Sequence, residues 1–324
     1  MLIAPILAAG LLVTQAAGKP PGPAGATLRK ATDFLEREVA RWSREHRCFS
    51  CHNNGDAARA LFQAAQARGK AVPQALAATA DWLRTPRQWE NNGPDGPFSD
   101  KRLARLAFSF ALATGVKTGL LENRRALNQA ALALADLQSQ DGSWPIDGVD
   151  DIGSPTTLGR LLSALLARDA LKTADPARFS KAIGRATAWL GKRPLETVID
   201  AAVCLMAGDA SSDHRQERAI TILREGESDP GGWGPRILSP PEIFDTAIAL
   251  LGLALVRGHL DFDQMIMRGR AYLIAEQQDD GSWVETTRPS GGVSYAQRVS
   301  TTAWATMALL ATEPLPPAGT DPKR

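Results

Sequence analysis

From Leu28 onward apolar residues return at helical spacing. Leu28, Ala31, Leu35, Val39 and Trp42 line one face, while Arg29, Glu36, Arg37 and Glu38 fall elsewhere. This predicts a helix that ends near His46. A second helix, small and Ala-rich, is predicted from about Asp56 to Arg68, with Gly69 placed to take the left-handed conformation at its end. Further amphipathic segments fall at 74–84, 124–138, 178–190, 214–225 and 264–277, each followed by a turn-rich loop and another helix. Four of the second helices align on a threonine that begins an apolar run: Thr157, Thr197, Thr246 and Thr302. Threonine at a helix start is ordinarily a capping residue, although the column could instead face a cavity. Helices apolar on nearly all sides must be covered on most faces, so these form an inner layer and their charged partners an outer one. Almost nothing alternates at period two, so the fold class is all-α. Six helix pairs can close into an α6/α6 toroid, which needs no capping repeats because the first pair packs on the last; an open solenoid is the alternative.

Two connecting loops are near copies, "LQSQDGSW" at Leu137 to Trp144 and "EQQDDGSW" at Glu276 to Trp283, with a degenerate "SDPGGWGP" around Trp233. The Asp-Gly pair supplies a tight turn and the tryptophan a large packing surface. The glutamine is expected to bond free N–H groups at a helix start. Because the same chemistry repeats at several loops, the motifs read as structural. Together with "TTAWATMALL", they resemble the repeats of squalene-hopene cyclases and protein prenyltransferase β-subunits over most of residues 120 to 315. The resemblance implies an α/α toroid, but it does not carry the activity with it. The cyclases protonate an alkene with an Asp-x-Asp-Asp motif, and the nearest match, "GVDD" with Asp150 and Asp151, lacks the first aspartate and reads better as a solvated loop. The chain is only 6% aromatic, which is poor supply for stabilising a carbocation. The prenyltransferases use zinc held by Asp, Cys and His, and Cys204 has no adjacent acidic partner. In an apolar helix pattern, Cys204 reads as a buried small side chain.

At 324 residues and 44% hydrophobic content the chain can bury a large core. The formal charge of +2 is spread along it, so no basic run favours nucleic acid. Residues 1–17 are uncharged and apolar and end in small residues, as a signal peptide does, and they are too short for a convincing membrane span. Export to the periplasm or outside the cell is expected. The Pro/Gly-rich residues 18–26 read as a linker, 27–314 as one toroidal domain and 315–324 as a tail.

The remaining chemistry lies in "CFSCH", residues 48 to 52, in the loop of the first pair. Its spacing is that of a covalent c-type haem site, with Cys48 and Cys51 as thioether anchors and His52 as the axial iron ligand. The second axial ligand could come from Met206, Met265, Met267, Met307, His214 or His259. A local Cys48–Cys51 disulfide, structural or redox-active, and a zinc site helped by His46 and His52 are the competing readings. The leading expectation is therefore an exported toroid that carries one haem c and passes electrons to a redox partner protein. A second expectation is a terpenoid- or isoprenoid-processing or -binding protein with an apolar small molecule in its central cavity. A third is a structural repeat protein with a local disulfide.

Overall fold

The computed structural model describes residues 23–93, 101–144, 146, 152–208, 213–229, 231–258, 260–288 and 291–314. The expected signal peptide, the first part of the linker, the C-terminal tail, Asp150, Asp151 and His259 lie outside these residues. Twelve α-helices follow in order among them. The outer six are α1 (Pro23–His46), α3 (Ala77–Leu83), α5 (Arg124–Asp136), α7 (Ser180–Lys192), α9 (Asp213–Gly226) and α11 (Leu260–Ala275). The inner six are α2 (Ala58–Ala67), α4 (Lys101–Lys117), α6 (Gly159–Ala174), α8 (Val198–Ala207), α10 (Ile243–Leu253) and α12 (Tyr295–Ala311). Each inner helix packs on the next, from α2 through α12, and α12 packs back on α2. The ring is closed. This is the α6/α6 toroid that the alternation of amphipathic and apolar helices predicts, and it replaces the open solenoid. Helix α1 begins at Pro23, inside the expected linker, because proline is tolerated in the first turn, where its missing N–H has no helical partner to lose.

Closure depends on the turn motifs. In each of three loops the indole N–H donates to the carbonyl ten residues earlier: Trp144 to Leu134 at 2.7 Å, Trp233 to Leu223 at 2.6 Å and Trp283 to Leu273 at 2.7 Å. Each ring thereby occupies one buried place between the end of an outer helix and the inner layer. Asp141 and Asp280 bind the turn's serine through both its backbone N–H and hydroxyl, and each is held in turn by an arginine of the following inner helix, Arg160 and Arg298. The glutamines differ from expectation. Gln138 and Gln277 donate to carbonyls rather than accept from helix-start N–H groups: Gln138 reaches Gly142 and Ala182 while its oxygen accepts from the Arg185 guanidinium, and Gln277 reaches Gly281 and Thr27. Ala182 lies in α7 and Thr27 in α1, so each glutamine ties its own turn to the next outer helix around the ring.

The turn glycines show why that approach needs no side chain. Gly142 and Gly281 have φ of +100° and +93°, and a Cβ would strike the carbonyl oxygens of Arg185 and Lys30 respectively. Thus the last loop meets α1 as the third meets α7. Two threonines of the aligned column serve the same loops. Thr246 accepts from the backbone N–H of Trp233 at 2.9 Å, and Thr302 from that of Trp283 at 3.2 Å. Thr197 instead caps α8 in a reciprocal box with Asp200, and Thr157 pairs with Ser154. None of the four lines the axial cavity described below.

Two results follow for stability. Gly281→Ala should cost more than about 1 kcal/mol, because it combines a disallowed φ with a clash on α1, whereas Gly119→Ala, with φ of +74° in open space, should lose only the backbone part; urea unfolding of both separates the two. Trp233→Phe should cost about 1–3 kcal/mol by leaving the buried Leu223 carbonyl without its donor, read from the same unfolding curves.

Candidate functional site: the axis of the ring

The first inner helix does not start as the others do. Cys51–Ala57 forms a π-helix that runs directly into α2, with Ser50 capping it by accepting from the N–H groups of His52 and Asn53. The stretch CHNNGDA has no apolar periodicity to announce a helix, so the sequence places the helix start near Asp56 instead. Gly55 lets this turn sit against α4, where a Cβ would come within 2.9 Å of that of Ala107. The wider loop is pinned as well: Asn92 exchanges two hydrogen bonds with the backbone of Phe49, at 2.8 and 2.7 Å, and the Phe49 ring stacks on Trp82. Local π geometry is common where a helix must aim side chains at a site.

The side chains it aims are polar. His52 Nδ1 lies 3.0 Å from the Ser300 hydroxyl, which donates to Asp56 Oδ2 at 2.9 Å. With the hydroxyl proton directed at Asp56, the imidazole must carry its proton on Nδ1, which leaves Nε2 unprotonated. Asp56 Oδ1 faces Arg59 Nη1 at 3.4 Å, and the guanidinium lies over the ring of Trp304, 4.8 Å from its centroid. Burial pushes the Asp56 carboxyl up to about 6 against the pull of Arg59 and Ser300, and pushes the His52 imidazole down to about 4. A second buried group stands at the start of α10, where Arg288 binds Asp245 through both carboxylate oxygens at 3.0 Å and Glu242 at 2.6 Å. Burial raises Asp245 to about 7 in spite of Arg288. Sequence reading missed both clusters because their partners lie far apart in the chain. Glu38, read as part of the polar face of α1, is buried for the same reason: the Tyr295 hydroxyl reaches it at 2.9 Å and Arg41 at 2.8 Å.

Toward the C-terminal ends of the inner helices the axis is open. A cavity of about 450 Å³ is walled by α2, α4, α6 and α12, with Arg59, Gln63, Phe110, Thr114, Leu166 and Leu310 among its lining. That volume lies in the range of small-molecule sites.

The sequence-predicted residues fall as follows. Cys48 and Cys51 are half-buried and are not joined by a disulfide bridge. Cys51 packs against the core and His52 is spent on Ser300. His46 stacks on Trp42. Met265 and Met307 are buried in the core, Met206 is half-buried, and Met267 and His214 are exposed. Cys204 is half-buried rather than buried. Among the described residues no group of three or more His, Cys, Asp or Glu side chains is placed to hold a metal ion, and no helix is long and apolar enough to cross a membrane.

Residues 197–315, from α8 to α12, match the family model of the squalene-hopene cyclase C-terminal domain. The type II terpene cyclase MstE from Scytonema superposes with a TM-score of 0.59 at 14% identity, over 89% of this chain and 97% of that one. The fold is that of the terpene cyclases. Within it the toroid also resembles ent-copalyl diphosphate synthase from Streptomyces platensis, with a TM-score of 0.52 at 19% identity, over 78% of this chain and 50% of that one. A possible member of the GH105 family from Klebsiella pneumoniae shares the architecture too, with a TM-score of 0.53 at 13% identity, over 96% of this chain and 98% of that one. No curated protein matches the chain in sequence. The squalene-hopene cyclase match and the terpene cyclase neighbours overturn the leading expectation of a haem-bearing electron-transfer protein built on Cys48, Cys51 and His52. The physical reason the spacing misleads is that the toroid uses these residues itself: the motif forms the entry to α2, and His52 and Asp56 fasten that entry to α12 through Ser300.

His52 gives a pH test. Its folded imidazole is neutral down to about 4, below the ordinary 6.5 of the unfolded chain, so its contribution to stability is full above 6.5 and lost as pH falls through 4. The fall in Tm between pH 7 and pH 4 should be smaller in His52→Gln than in the wild type, and the His52 ring signals in NMR should titrate near 4.

Proposed function

We propose that the toroid binds a terpenoid, holding an isoprenoid chain in the axial cavity between α2, α4, α6 and α12. The observation that carries this reading is the cavity itself: about 450 Å³ of space enclosed by four of the inner helices. The apolar part of its wall, Phe110, Ala113, Leu166, Ala170 and Leu310, suits a hydrocarbon chain, and Gln63, Thr114 and Thr173 are among the polar side chains that line the rest. The squalene-hopene cyclase match supports the same class, and so does the fold shared with MstE, which has been captured with geranylgeranyl dihydroxybenzoate and with merosterolic acid A. The lining favours retention over cyclisation. Phe110 is the one aromatic side chain in it, whereas a carbocation passing along a chain needs several aromatic faces. The apolar leader at residues 1–17 would carry such a binding protein out of the cytoplasm.

Titration calorimetry with geranylgeraniol and squalene, followed by gas chromatography of the recovered ligand, tests the reading. We expect saturable binding of at least one isoprenoid and recovery of the ligand unchanged. Failure of isoprenoids of every chain length to bind would overturn it, and a cyclised product would overturn the retention role.

A further inference from the structure

Beside the mouth of the axial cavity lies a second pocket of about 310 Å³, bounded by the start of α1, the turn after α2 and the end of α12. Ala67 and Leu310 line both spaces, so the two meet at those side chains, and Leu28 adds a further apolar surface to the second. The rest of its wall is mostly basic. Arg29, Arg68 and Lys70 line it, all three are exposed to solvent, and none has an ion-pair partner among the described residues.

Local structure brings these cations together without using them. Gly69, at φ of +59°, closes α2 in a left-handed turn in which the N–H groups of Arg68, Gly69 and Lys70 bond the carbonyls of Ala64, Gln66 and Ala65. The backbone thereby satisfies the helix end, and the side chains on either side of Gly69 are not needed as caps. Arg68 makes one long bond, from Nη1 to the Thr32 hydroxyl at 3.4 Å, which lays its guanidinium against α1 just beyond Arg29. Gly25, in the first turn of α1, is also in the wall, and the partial positive charge of a helix start acts in the same sense. Glu313, the one acid among the described lining residues, lies in the field of the buried Arg270 as well. Asp33 and Glu36 stand farther along α1, outside the wall. Three like charges gathered in one wall favour an anion between them.

The kind of anion follows from the arrangement. A two-oxygen carboxylate is met best by one planar guanidinium fork. Three cations set on two elements suit instead a group that spreads its charge over several oxygens, as a diphosphate does. The mouth of the axial cavity offers no rival seat: Lys117 and Asp169 bring one charge of each sign, and the four inner helices that end there present partial negative charge.

On the understanding that the isoprenoid reading above holds, we propose that the ligand is an isoprenyl diphosphate, its diphosphate seated in the side pocket among Arg29, Arg68 and Lys70 and its chain passing over Ala67 and Leu310 into the axial cavity.

Calorimetric titration of the full chain with geranylgeranyl diphosphate, geranylgeraniol, geranylgeranoic acid and dodecyl phosphate tests this. The diphosphate should bind about tenfold or more tightly than the alcohol, the size of one or two charge-assisted contacts, and the preference should shrink as salt is raised. Arg68→Gln/Lys70→Gln should bring the diphosphate to within about twofold of the alcohol, and Arg29→Gln, on the other element, should lower the preference by itself. The same loss of charge on α7, Arg178→Gln/Lys181→Gln, should leave the preference unchanged. Equal affinity for diphosphate and alcohol, a preference that survives Arg68→Gln/Lys70→Gln, an equal loss in the α7 variant, or a carboxylic acid that binds as tightly as the diphosphate would each overturn the diphosphate seat and leave isoprenoid binding standing. Dodecyl phosphate binding as tightly as geranylgeranyl diphosphate would leave the basic seat standing and overturn the isoprenoid reading. No binding of any of the four would overturn both.

Discussion

The structure depends on one requirement: helices that are apolar on nearly every side have to be enclosed, and a chain of such helices has no end at which enclosure can stop. A ring meets it. Inner helix α12 is covered on one side by α10 and on the other by α2, and α1 seats on it as α11 seats on α10. The turn motifs are the fasteners that fix the spacing of this ring. Each tryptophan fills the gap where an outer helix turns inward, each glycine lets the turn touch the next outer helix, and each glutamine bridges the two. The last motif performs on α1 what the first performs on α7, although Gln277 and Thr27 are 250 residues apart.

The first pair departs from this scheme, and the departure supplies the chemistry on the axis. It carries no tryptophan motif between its helices. A π-turn replaces it, with Ser50 as cap and Asn54 reaching back to the Ser50 N–H and across to Thr79. The extra residue per turn rotates His52, Asp56 and Arg59 toward α12, where Ser300 and Trp304 receive them. A polar seam thus crosses the junction at which the ring closes. Buried charges in such a seam are costly singly and tolerable as a connected set. The long contact between Asp56 and Arg59 marks the place where the set is incomplete.

Most of the fold was legible along the chain. Helical periodicity marked the outer helices, apolar density marked the inner ones, and the two near-identical loops marked the repeat. The glutamine was assigned the wrong hydrogen-bonding role because an amide can donate or accept, and only the neighbouring carbonyls of Ala182 and Thr27 decide which. The axial site was hardly legible at all. Asp56, Arg59 and Ser300 stand in segments whose local pattern calls for nothing unusual, and Asp56 and Ser300 are separated by 244 residues. The one local signal, CFSCH, pointed to real structure, the capped entry to α2, but the electron-transfer function read from it is not the one the family match supports. Two cysteines and a histidine at that spacing also suit a tight capped turn, where small side chains pack inward and a ring nitrogen reaches a neighbouring helix. The cavity left no trace either, because its lining comes from four inner helices that are far apart in the chain.

Ring closure has a consequence for how the chain comes into being. Helix α1 is made first, yet its apolar face is covered by α12 and its first turn is tied to the loop after α11. On a ribosome, which delivers domains from the N-terminal end, the earliest helix must wait for the latest. Pairs in the middle can assemble on their predecessors as they emerge, but the part of α1 that α12 covers stays exposed until synthesis is almost over. A nascent toroid of this kind is a natural client for a chaperone that holds its first helix.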